Sequence, residues 1–470
     1  MKADHFDLVV IGSGPAGEKG AAQAAYHGRK VAVVERVDGP GGATVRNAGI
    51  PTKTLRETAL FVSGFRKKEL YGVRVHLDPQ KTFDQLRART ASVSAAMAEA
   101  VARNLQRHGI EFVRGAARLG PGRTVRVTGT EGERTLGADV ILIATGSRPF
   151  RPPSISFDDP DVLDSETLLE VERPFGSAVI IGGGPVGCEY ASVFAALGLE
   201  VTLVDAGERL LPMMDGEVSR LLERSFAAAG VEVRAQRSLR SVSREAGKLR
   251  VELDDGGALS PDKLLFAAGR VGNVHGLGLE EAGVKLDPRN RVIVDENYRT
   301  SVQGIYAAGD VIGPPALASV SMEQARVAIC HAFDIRFKLA VDPVPPIAVY
   351  TMPEVAGVGM TEEAAQGAGL DYEVGRGWLA QNTRAVIAGD TEGLIKLVFD
   401  RQSLRLLGAH VISEEAAELV HQGQAVLNLG GHVDYFIQTT FGVPTWAEAY
   451  KYAAYDGLTR VERRAAAARS

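Results

Sequence analysis

Two sets of small and acidic residues in this sequence have the types and the spacing needed to hold dinucleotides. The glycines follow the G-x-G-x-x-G pattern twice, at Gly12, Gly14 and Gly17 and again at Gly182, Gly184 and Gly187. The first glycine of such a turn permits a tight bend, the second lets a pyrophosphate approach the backbone, and the third lets helix and strand pack closely. An acid, Glu35 or Asp205, follows each set at the same spacing, where it can accept hydrogen bonds from a ribose.

The same order of predicted elements positions both sets. DLVVIGSGPAGEKGAAQAAYHGRKVAVVE and SAVIIGGGPVGCEYASVFAALGLEVTLVD each predict an apolar strand, the glycine turn, an alanine-rich helix, a second apolar strand and the terminal acid. The start of each helix offers unpaired N–H groups to an anion. This duplication predicts an α/β fold with two dinucleotide-binding, Rossmann-like domains, an arrangement that enzymes often use to pass a hydride between a flavin and a nicotinamide.

In three later segments, a predicted strand is followed directly by small residues. VILIATGSRP and LLFAAGRVGN each follow one of the duplicated units, and TSVQGIYAAGDV places Asp310 at the end of an apolar strand. The Asp310 carboxylate could accept hydrogen bonds from a polyol chain, or it could be an ordinary turn residue or helix cap.

Length and composition restrict the class of protein. At about 100–200 residues per domain, 470 residues predict about three domains. Apolar residues make up 45% and charged residues 24%, a balance typical of globular proteins rather than disordered chains. The formal net charge of -5 gives no general attraction to polyanions, so we expect no nucleic-acid partner.

Signals for membranes and metals are weak. No apolar run reaches the roughly 18 residues of a membrane-spanning helix, and the start MKADHFDLVVIG lacks the apolar stretch and cleavage site of a signal peptide. We therefore expect a cytoplasmic protein without a membrane partner. The two cysteines, Cys188 and Cys330, are far apart and in no metal-binding spacing, so we expect neither a metal site nor a disulfide framework.

Together these motifs resemble the pyridine nucleotide-disulfide oxidoreductases, the flavoprotein family of dihydrolipoamide dehydrogenase, glutathione reductase and mercuric reductase. The resemblance covers nearly the whole chain. It implies an FAD-binding domain in two pieces, residues 1–150 and 277–345, an NAD(P)-binding domain at 151–276, and an α+β domain at 346–470 that forms the interface of a homodimer or higher homo-oligomer. FAD would occupy the first glycine turn and the T-x5-Y-x2-GD motif ending at Asp310, and NAD(P)H the second turn.

The candidate cofactor-binding residues lie in the two glycine turns, at the strand ends and in the segments that follow them. They are Gly12, Gly14, Gly17, Glu35, Gly42, Lys53, Thr145, Gly146, Gly182, Gly184, Gly187, Glu189, Asp205, Gly269, Arg270, Asp310 and Ala318.

The family's reactive disulfide is missing from this chain. Its segment GG-x-C-x4-C-IPSK carries two redox cysteines, whereas GGATVRNAGIPTK has Thr44 and Gly49 at those positions. Its C-terminal HPT-x2-E motif supplies a proton-transferring histidine, whereas FGVPTWAEAY has Val443 there and keeps Glu448. Because valine cannot transfer a proton, the resemblance predicts that dithiol chemistry is lost and that Glu448 has a structural role at the interface.

Two charged residues of the family's machinery remain, Lys53 in IPTK and Glu189 in GCEY. The resemblance implies that they pair beside the flavin N5, where the Lys53 cation would stabilise the anionic reduced flavin. Without the resemblance, each would be interpreted as an ordinary surface charge. We predict Lys53 and Glu189 as the catalytic residues.

One branch of the family, the soluble pyridine-nucleotide transhydrogenases, is similar in stretches such as DVIGPPALASVSMEQAR and TTFGVPTWAEAYKYAAYDGL. This similarity implies an oxidoreductase that moves hydride between nicotinamide nucleotides through FAD. Two alternatives are an NADH-preferring reductase of a quinone or dye, and a nucleotide-binding homologue without turnover. Because Asp205 stands where an acid repels the extra phosphate of NADP, we expect NAD(H) to be preferred and NADP(H) to be accepted weakly, unless Arg209 binds that phosphate.

Overall fold

The computed structural model describes residues 4–64, 72, 78–130 and 132–467. The chain divides into two compact units, each assembled from separate stretches of sequence. The first unit comprises residues 1–54, 84–150 and 269–343, and the second comprises 55–83, 151–268 and 344–470.

Strands and helices are numbered along the chain. The strands are β1 Asp4–Ile11, β2 Val31–Glu35, β3 Glu111–Arg114, β4 Ala116–Gly120, β5 Thr124–Gly129, β6 Gly132–Ile143, β7 Ser147–Pro149, β8 Val162–Leu163, β9 Ser177–Ile181, β10 Glu200–Asp205, β11 Val231–Ala235, β12 Leu239–Glu245, β13 Lys248–Leu253, β14 Ala258–Leu259, β15 Lys263–Phe266, β16 Arg270–Gly272, β17 Ile305–Ala307, β18 Ile347–Val349, β19 Glu354–Gly359, β20 Tyr372–Trp378, β21 Leu394–Asp400 and β22 Leu406–Ser413. The helices are α1 Pro15–Tyr26, α2 Ile50–Ser63, α3 Pro79–Arg107, α4 Pro185–Ala196, α5 Gly216–Ala228, α6 Ala318–Ala332, α7 Glu362–Gly367, α8 Thr383–Ala388, α9 Ala416–Asn428, α10 Tyr435–Gln438 and α11 Ala449–Ala467.

The first unit is built on a sheet with the order β3-β2-β1-β6-β5-β4, and β17 also pairs with β6. Strands β1, β2, β3, β6 and β17 are parallel, whereas β4 and β5 form an antiparallel extension. Residues Leu8 to Ile11 of β1 are all buried because apolar layers cover both faces of the sheet. Helix α1 lies close to α6, and a Cβ placed on Gly20 would come within 3.3 Å of Ala325 Cβ.

The second unit contains a parallel sheet and two antiparallel ones. The parallel sheet has the order β11-β10-β9-β15-β8, and β12, β13 and β14 form a small antiparallel sheet. Residues after 344 form an antiparallel sheet, β18-β19-β22-β21-β20, on which α9 and α11 pack. The fold class predicted from the sequence, two dinucleotide-binding α/β parts followed by an α+β part, is confirmed. The predicted domain limits stay a prediction.

A buried ionic cluster joins the start of α5 to the C-terminal sheet within the second unit. Lys396 of β21 is 1% exposed, and its Nζ lies 2.9 Å from Asp215 Oδ1, 3.1 Å from Glu217 Oε2 and 2.6 Å from Glu362 Oε2. Burial would raise the pKa of the Asp215 carboxyl, but its interactions with His410 and Lys396 and the hydrogen bonds it accepts lower that pKa overall. Buried charges need partners of opposite sign, and this cluster supplies them between the start of α5 and the C-terminal sheet.

Helices long and apolar enough to cross a bilayer do not occur among the described residues.

Candidate functional site

The three glycines of the first turn have different surroundings. Gly12 has a φ of +104°, and a Cβ there would lie 2.4 Å from Ala144 O. A Cβ on Gly17 would lie 1.8 Å from Gly12 O, so this position cannot accept a side chain. Gly14 is different, because its nearest neighbour would be Gly42 Cα at 3.8 Å. The first and third glycines are therefore required by packing, and the second leaves open space in front of the turn.

That open space lies at the start of α1. Gly14 is the residue that caps this helix, Pro15 occupies its first turn, and no side chain caps its N–H groups. Unpaired N–H groups and the positive end of the helix dipole favour a phosphate at this position. Gly42 closes the other side of the turn with a φ of +61°, and a Cβ there would lie 2.6 Å from Gly14 Cα.

Glu35 braces the first glycine turn. Its Oε2 accepts hydrogen bonds from Ser13 N at 3.0 Å and Ser13 Oγ at 2.7 Å, and its Oε1 accepts one from Val37 N at 3.2 Å. A carboxylate has about four lone-pair positions, so Glu35 has capacity left to accept hydrogen bonds from a ribose. The sequence suggested the ribose role but not the bracing of Ser13.

Asp310 belongs to a polar chain that the sequence did not reveal. It begins a short 3₁₀ turn after β17, and its Oδ2 accepts a hydrogen bond from Ser147 Oγ at 2.7 Å. Ser147 Oγ in turn accepts one from Arg270 Nε at 2.8 Å. Arg270 and Asp310 were predicted separately, and Ser147 connects them. Its only sequence signal is its place directly after Thr145 and Gly146.

The two small-residue turns at the strand ends come together in the first unit. TGSRP and GRVGN pair as the antiparallel strands β7 and β16, with Ser147 opposite Gly272. Thr145 Oγ1 donates to Asn273 O at 2.8 Å, and Asn273 N donates to Gly146 O at 2.9 Å. The pairing of β7 with β16 therefore brings together Thr145, Gly146, Gly269 and Arg270. It keeps these residues, at the carboxyl edge of the main sheet, close to Asp310.

A second uncapped helix start lies in this unit, at α6. Ala318 is its first residue, Leu317 precedes it, and no side chain caps it. The helix then carries Ser321 and Gln324, and Gln324 Oε1 accepts a hydrogen bond from Gly309 N at 2.9 Å. An extended dinucleotide with a pyrophosphate and hydroxyl groups fits this set of open helix starts, carboxylates and glycine backbone.

The second glycine turn repeats the geometry of the first. Gly182 has a φ of +116°, and a Cβ on Gly187 would lie 1.8 Å from Gly182 O. A Cβ on Gly184 would meet no heavy atom within 4 Å, and Gly184 and Pro185 begin α4 without a side-chain cap. Asp205 accepts hydrogen bonds from Gly183 N at 2.5 Å and Gly207 N at 2.7 Å. It therefore braces its own turn as Glu35 does.

Arg209 is engaged away from this turn. Its Nη1 lies 3.2 Å from Glu363 Oε1, and its Nη2 donates to the carbonyl oxygens of Pro212 and Met214, each at 3.2 Å. Binding the extra phosphate of NADP would require Arg209 to give up these contacts.

Glu189 is buried rather than on the surface. It lies on α4 with 8% exposure, and its Oε1 accepts a hydrogen bond from Tyr350 N at 3.1 Å. The interpretation of Glu189 as an ordinary surface charge is therefore wrong. Tyr350 is a neighbour that the sequence did not indicate, and burial raises the pKa of its hydroxyl.

The segment that lacks the disulfide forms a π-helical turn, Thr44–Ala48, directly before α2. A Cβ on Gly49 would lie 3.0 Å from Thr44 Cγ2, so the two altered positions are neighbours in space. Lys53 follows in the first turn of α2, half-buried, with its N–H bonded to Gly49 O at 3.2 Å and its Nζ 3.3 Å from Thr52 Oγ1.

The other altered position, Val443, is 68% exposed. Glu448, which follows it, accepts a hydrogen bond from Tyr452 OH at 3.0 Å. Both cysteines are free thiols with little exposure, and burial raises the pKa of the Cys188 thiol. Within the described ranges, His, Cys, Asp and Glu side chains form no group of three that could hold a metal ion.

Comparisons with known proteins extend over nearly the whole chain. The pattern of the family described as Pyridine nucleotide-disulphide oxidoreductase matches residues 6–331, and that of its dimerisation domain matches residues 345–454. A soluble pyridine nucleotide transhydrogenase of Mycobacterium tuberculosis is 38% identical over 97% of this chain and 98% of that protein. One of Chromohalobacter salexigens is 39% identical over 98% and 100%. The solved structure of the HOCl-induced flavoprotein disulfide reductase RclA from Escherichia coli has a TM-score of 0.87 and 27% identity, covering 96% of this chain and 99% of that one.

Proposed function

Because this chain belongs to the pyridine nucleotide-disulphide oxidoreductase family, we propose that it transfers hydride between nicotinamide nucleotides through bound FAD. One observation carries the proposal. Both dinucleotide turns are intact and open at their second glycine, whereas Thr44 and Gly49 replace the thiol pair on which the family's disulfide reductases depend. An enzyme with two nucleotide sites and no thiol relay can still exchange hydride between nucleotides.

The chain's own residues would bind and orient the cofactors. The uncapped starts of α1 and α4 would each hold a pyrophosphate, and Glu35 and Asp205 would accept hydrogen bonds from the riboses. Asp310, held by Ser147, would accept from hydroxyl groups of FAD. Bound FAD supplies the chemistry, since its isoalloxazine ring accepts a hydride and later gives it up.

Two further residues are proposed to act at the reacting atoms. By resemblance to the family, the Lys53 cation stabilises negative charge that develops on the flavin during reduction, and the Glu189 carboxylate orients Lys53. The hydrogen bond from Tyr350 N and the low exposure of Glu189 support this role, because they hold the carboxylate in one position.

Nucleotide preference follows from the edge of the second turn. We expect NADH to be the better reductant, because Asp205 favours ribose hydroxyls and repels a 2′-phosphate, and because Arg209 is occupied by Glu363. Asp205→Ser should narrow the gap between NADH and NADPH in steady-state efficiency. An unmodified enzyme at least as efficient with NADPH would contradict this preference.

The proposal also covers the assembly of the protein, its location and the division of the cofactors among its domains. The dimerisation domain indicates a homodimer, and we propose that it forms in the cytoplasm through residues 346–470, with FAD held by residues 1–150 and 277–345 and NAD(P) by 151–276. Sedimentation of the purified chain should give twice the monomer mass.

Anaerobic reduction of the purified yellow enzyme tests the function. NADH should bleach the flavin, and adding NADP⁺ or a nicotinamide analogue should restore its absorbance as the second nucleotide is reduced. Reoxidation by quinones but not by nucleotides would favour an NADH-dependent quinone reductase. A flavin that neither NADH nor NADPH bleaches would indicate a nucleotide-binding protein without turnover.

A further inference from the structure

An enzyme that exchanges hydride between NAD(H) and NADP(H) must accept a 2′-phosphate where Asp205 repels one. We infer that Arg237, two residues after the end of β11, binds the 2′-phosphate of NADP(H) by exchanging its salt bridge with Asp255 for the phosphate. This inference rests on the proposed function and names a specificity residue for it.

The backbone places Arg237 at the same edge of the sheet as Asp205. The strands β10 and β11 are parallel neighbours in which Asp205 pairs with Ala235, two residues before Arg237. Arg237 N donates to Asp205 O at 3.0 Å, and Gln236 N donates to Gly207 O at 2.9 Å. The segments after both strands are thus tied together beside the acid that would receive the ribose.

The turn into Arg237 is strained. Gln236 has a φ of +55°, a left-handed conformation that side-chain-bearing residues adopt rarely. Such strain persists only where surrounding contacts hold it, and it gathers at ligand sites. Here the two backbone hydrogen bonds to the segment after β10 hold it.

A phosphate could replace Asp255 as the partner of the Arg237 side chain. Its Nε lies 2.8 Å from Asp255 Oδ2, its Nη1 donates to Gln236 O at 2.8 Å, and the side chains of Arg237 and Asp255 are 43% and 38% exposed. Exposed ion pairs contribute little net free energy. A guanidinium has five N–H donors in a planar fork that suits phosphate, so exchange of Asp255 for a dianion is favourable.

Other arginines near this edge are less suitable. Arg209 bonds Glu363 and two carbonyl oxygens. Arg234 places both Nε and Nη2 2.9 Å from Glu232 Oε1. Arg240 is exposed on β12, three residues further along, and is a matched control for the loss of one positive charge.

Binding of nucleotide fragments tests the inference without turnover. On the FAD-loaded enzyme, isothermal titration would give the affinities for 2′,5′-ADP and 5′-AMP, and the ratio of the two isolates the 2′-phosphate. We expect R237Q to lower this ratio by about tenfold, as for a lost charge-assisted hydrogen bond, with R237K intermediate. D255N should raise the ratio several-fold because it releases Arg237, and R240Q should leave it within about twofold.

Three outcomes of the titrations with R237Q, R240Q and the unmodified enzyme would overturn the inference. They are an unchanged ratio in R237Q, an equal fall in R240Q, or no measurable binding of 2′,5′-ADP to the unmodified enzyme. If R237Q is unstable, the opposite shift expected of D255N still decides, because a ratio that stays the same or falls there contradicts the exchange. Failure of the proposed function looks different, since an enzyme without hydride exchange would still show the fragment ratios.

Discussion

Replacing Thr44 and Gly49 with cysteine should create a disulfide with only a small local adjustment of the segment. A Cβ on Gly49 would lie 3.0 Å from Thr44 Cγ2. In a disulfide each Cβ lies about 3 Å from the far sulfur, given an S–S bond of about 2 Å. Thr44 Cγ2 occupies a staggered position that a cysteine Sγ can take, so T44C/G49C places the sulfur atoms within bonding reach.

The expected stabilisation is modest because the loop is short. Closing the segment from Thr44 to Gly49 lowers the conformational entropy of the unfolded chain, which raises its free energy by about 2 kcal/mol in the chain-entropy estimate. The new Cβ on Gly49 would also lie 3.0 Å from Thr44 O, which must move by a few tenths of an ångström and reduces the gain. We therefore expect an increase of about 1–2 kcal/mol in the free energy of unfolding.

Thiol titration of the denatured protein gives the clearest measurement. The unmodified chain should show the thiols of Cys188 and Cys330, and oxidised T44C/G49C should show no more until it is reduced. The single variants T44C and G49C are the controls, and each should show one additional thiol. Two additional free thiols in the oxidised double variant would refute the close approach of these positions. Thiol-disulfide turnover should stay low even when the disulfide forms, because Val443 cannot transfer a proton.

The remaining predictions concern the unmodified enzyme and three single changes. The purified protein should release noncovalent FAD on denaturation, and two-electron reduction should bleach it without a long-wavelength thiolate-to-flavin band; that band would show that a thiol lies beside the ring. Lys53→Ala should bind FAD yet slow reduction by NADH by on the order of ten to a thousand times in rapid mixing, with Lys53→Arg closer to normal; equal rates would exclude a catalytic charge. Lys396→Met should lower the free energy of unfolding by about 3–5 kcal/mol, because buried carboxylates lose their cation; denaturant titration beside the exposed control Lys248→Met checks this, and equal effects would contradict it. Burial lowers the pKa of His410, so the unfolded chain binds this proton first and stability falls as pH drops below about 6.5; His410→Gln should flatten that dependence, and an unchanged slope would assign it to other groups.

Much of the fold could be predicted from the sequence, because glycine requirements are local. A left-handed backbone at Gly12 and Gly182, and a position with no room for a Cβ at Gly17, constrain the residue type wherever the rest of the chain lies. Repetition of these constraints with an acid in register was enough to predict two dinucleotide-binding parts. The absence of the two thiols could also be predicted from the sequence, because the motif itself shows Thr44 and Gly49 where the family has cysteines.

Partners across the fold could not be predicted, because they depend on how separate strands are placed side by side. Ser147 joins Asp310 to Arg270 only because β7 pairs with β16, and the intervening sequence carries no sign of that pairing. The burial of Glu189 and its hydrogen bond from Tyr350 likewise need a segment from far along the chain.

The neighbourhood of Asp205 shows the division most clearly. The sequence alone determined that an acid ends this strand, and it suggested Arg209 as the nearby cation because that residue is close along the chain. Only the tertiary structure decided that Arg209 bonds Glu363, and that Arg237 comes beside Asp205 through the parallel pairing of β10 with β11. The type of a residue determines which interactions it can make, whereas strand order and register determine which other residues it contacts.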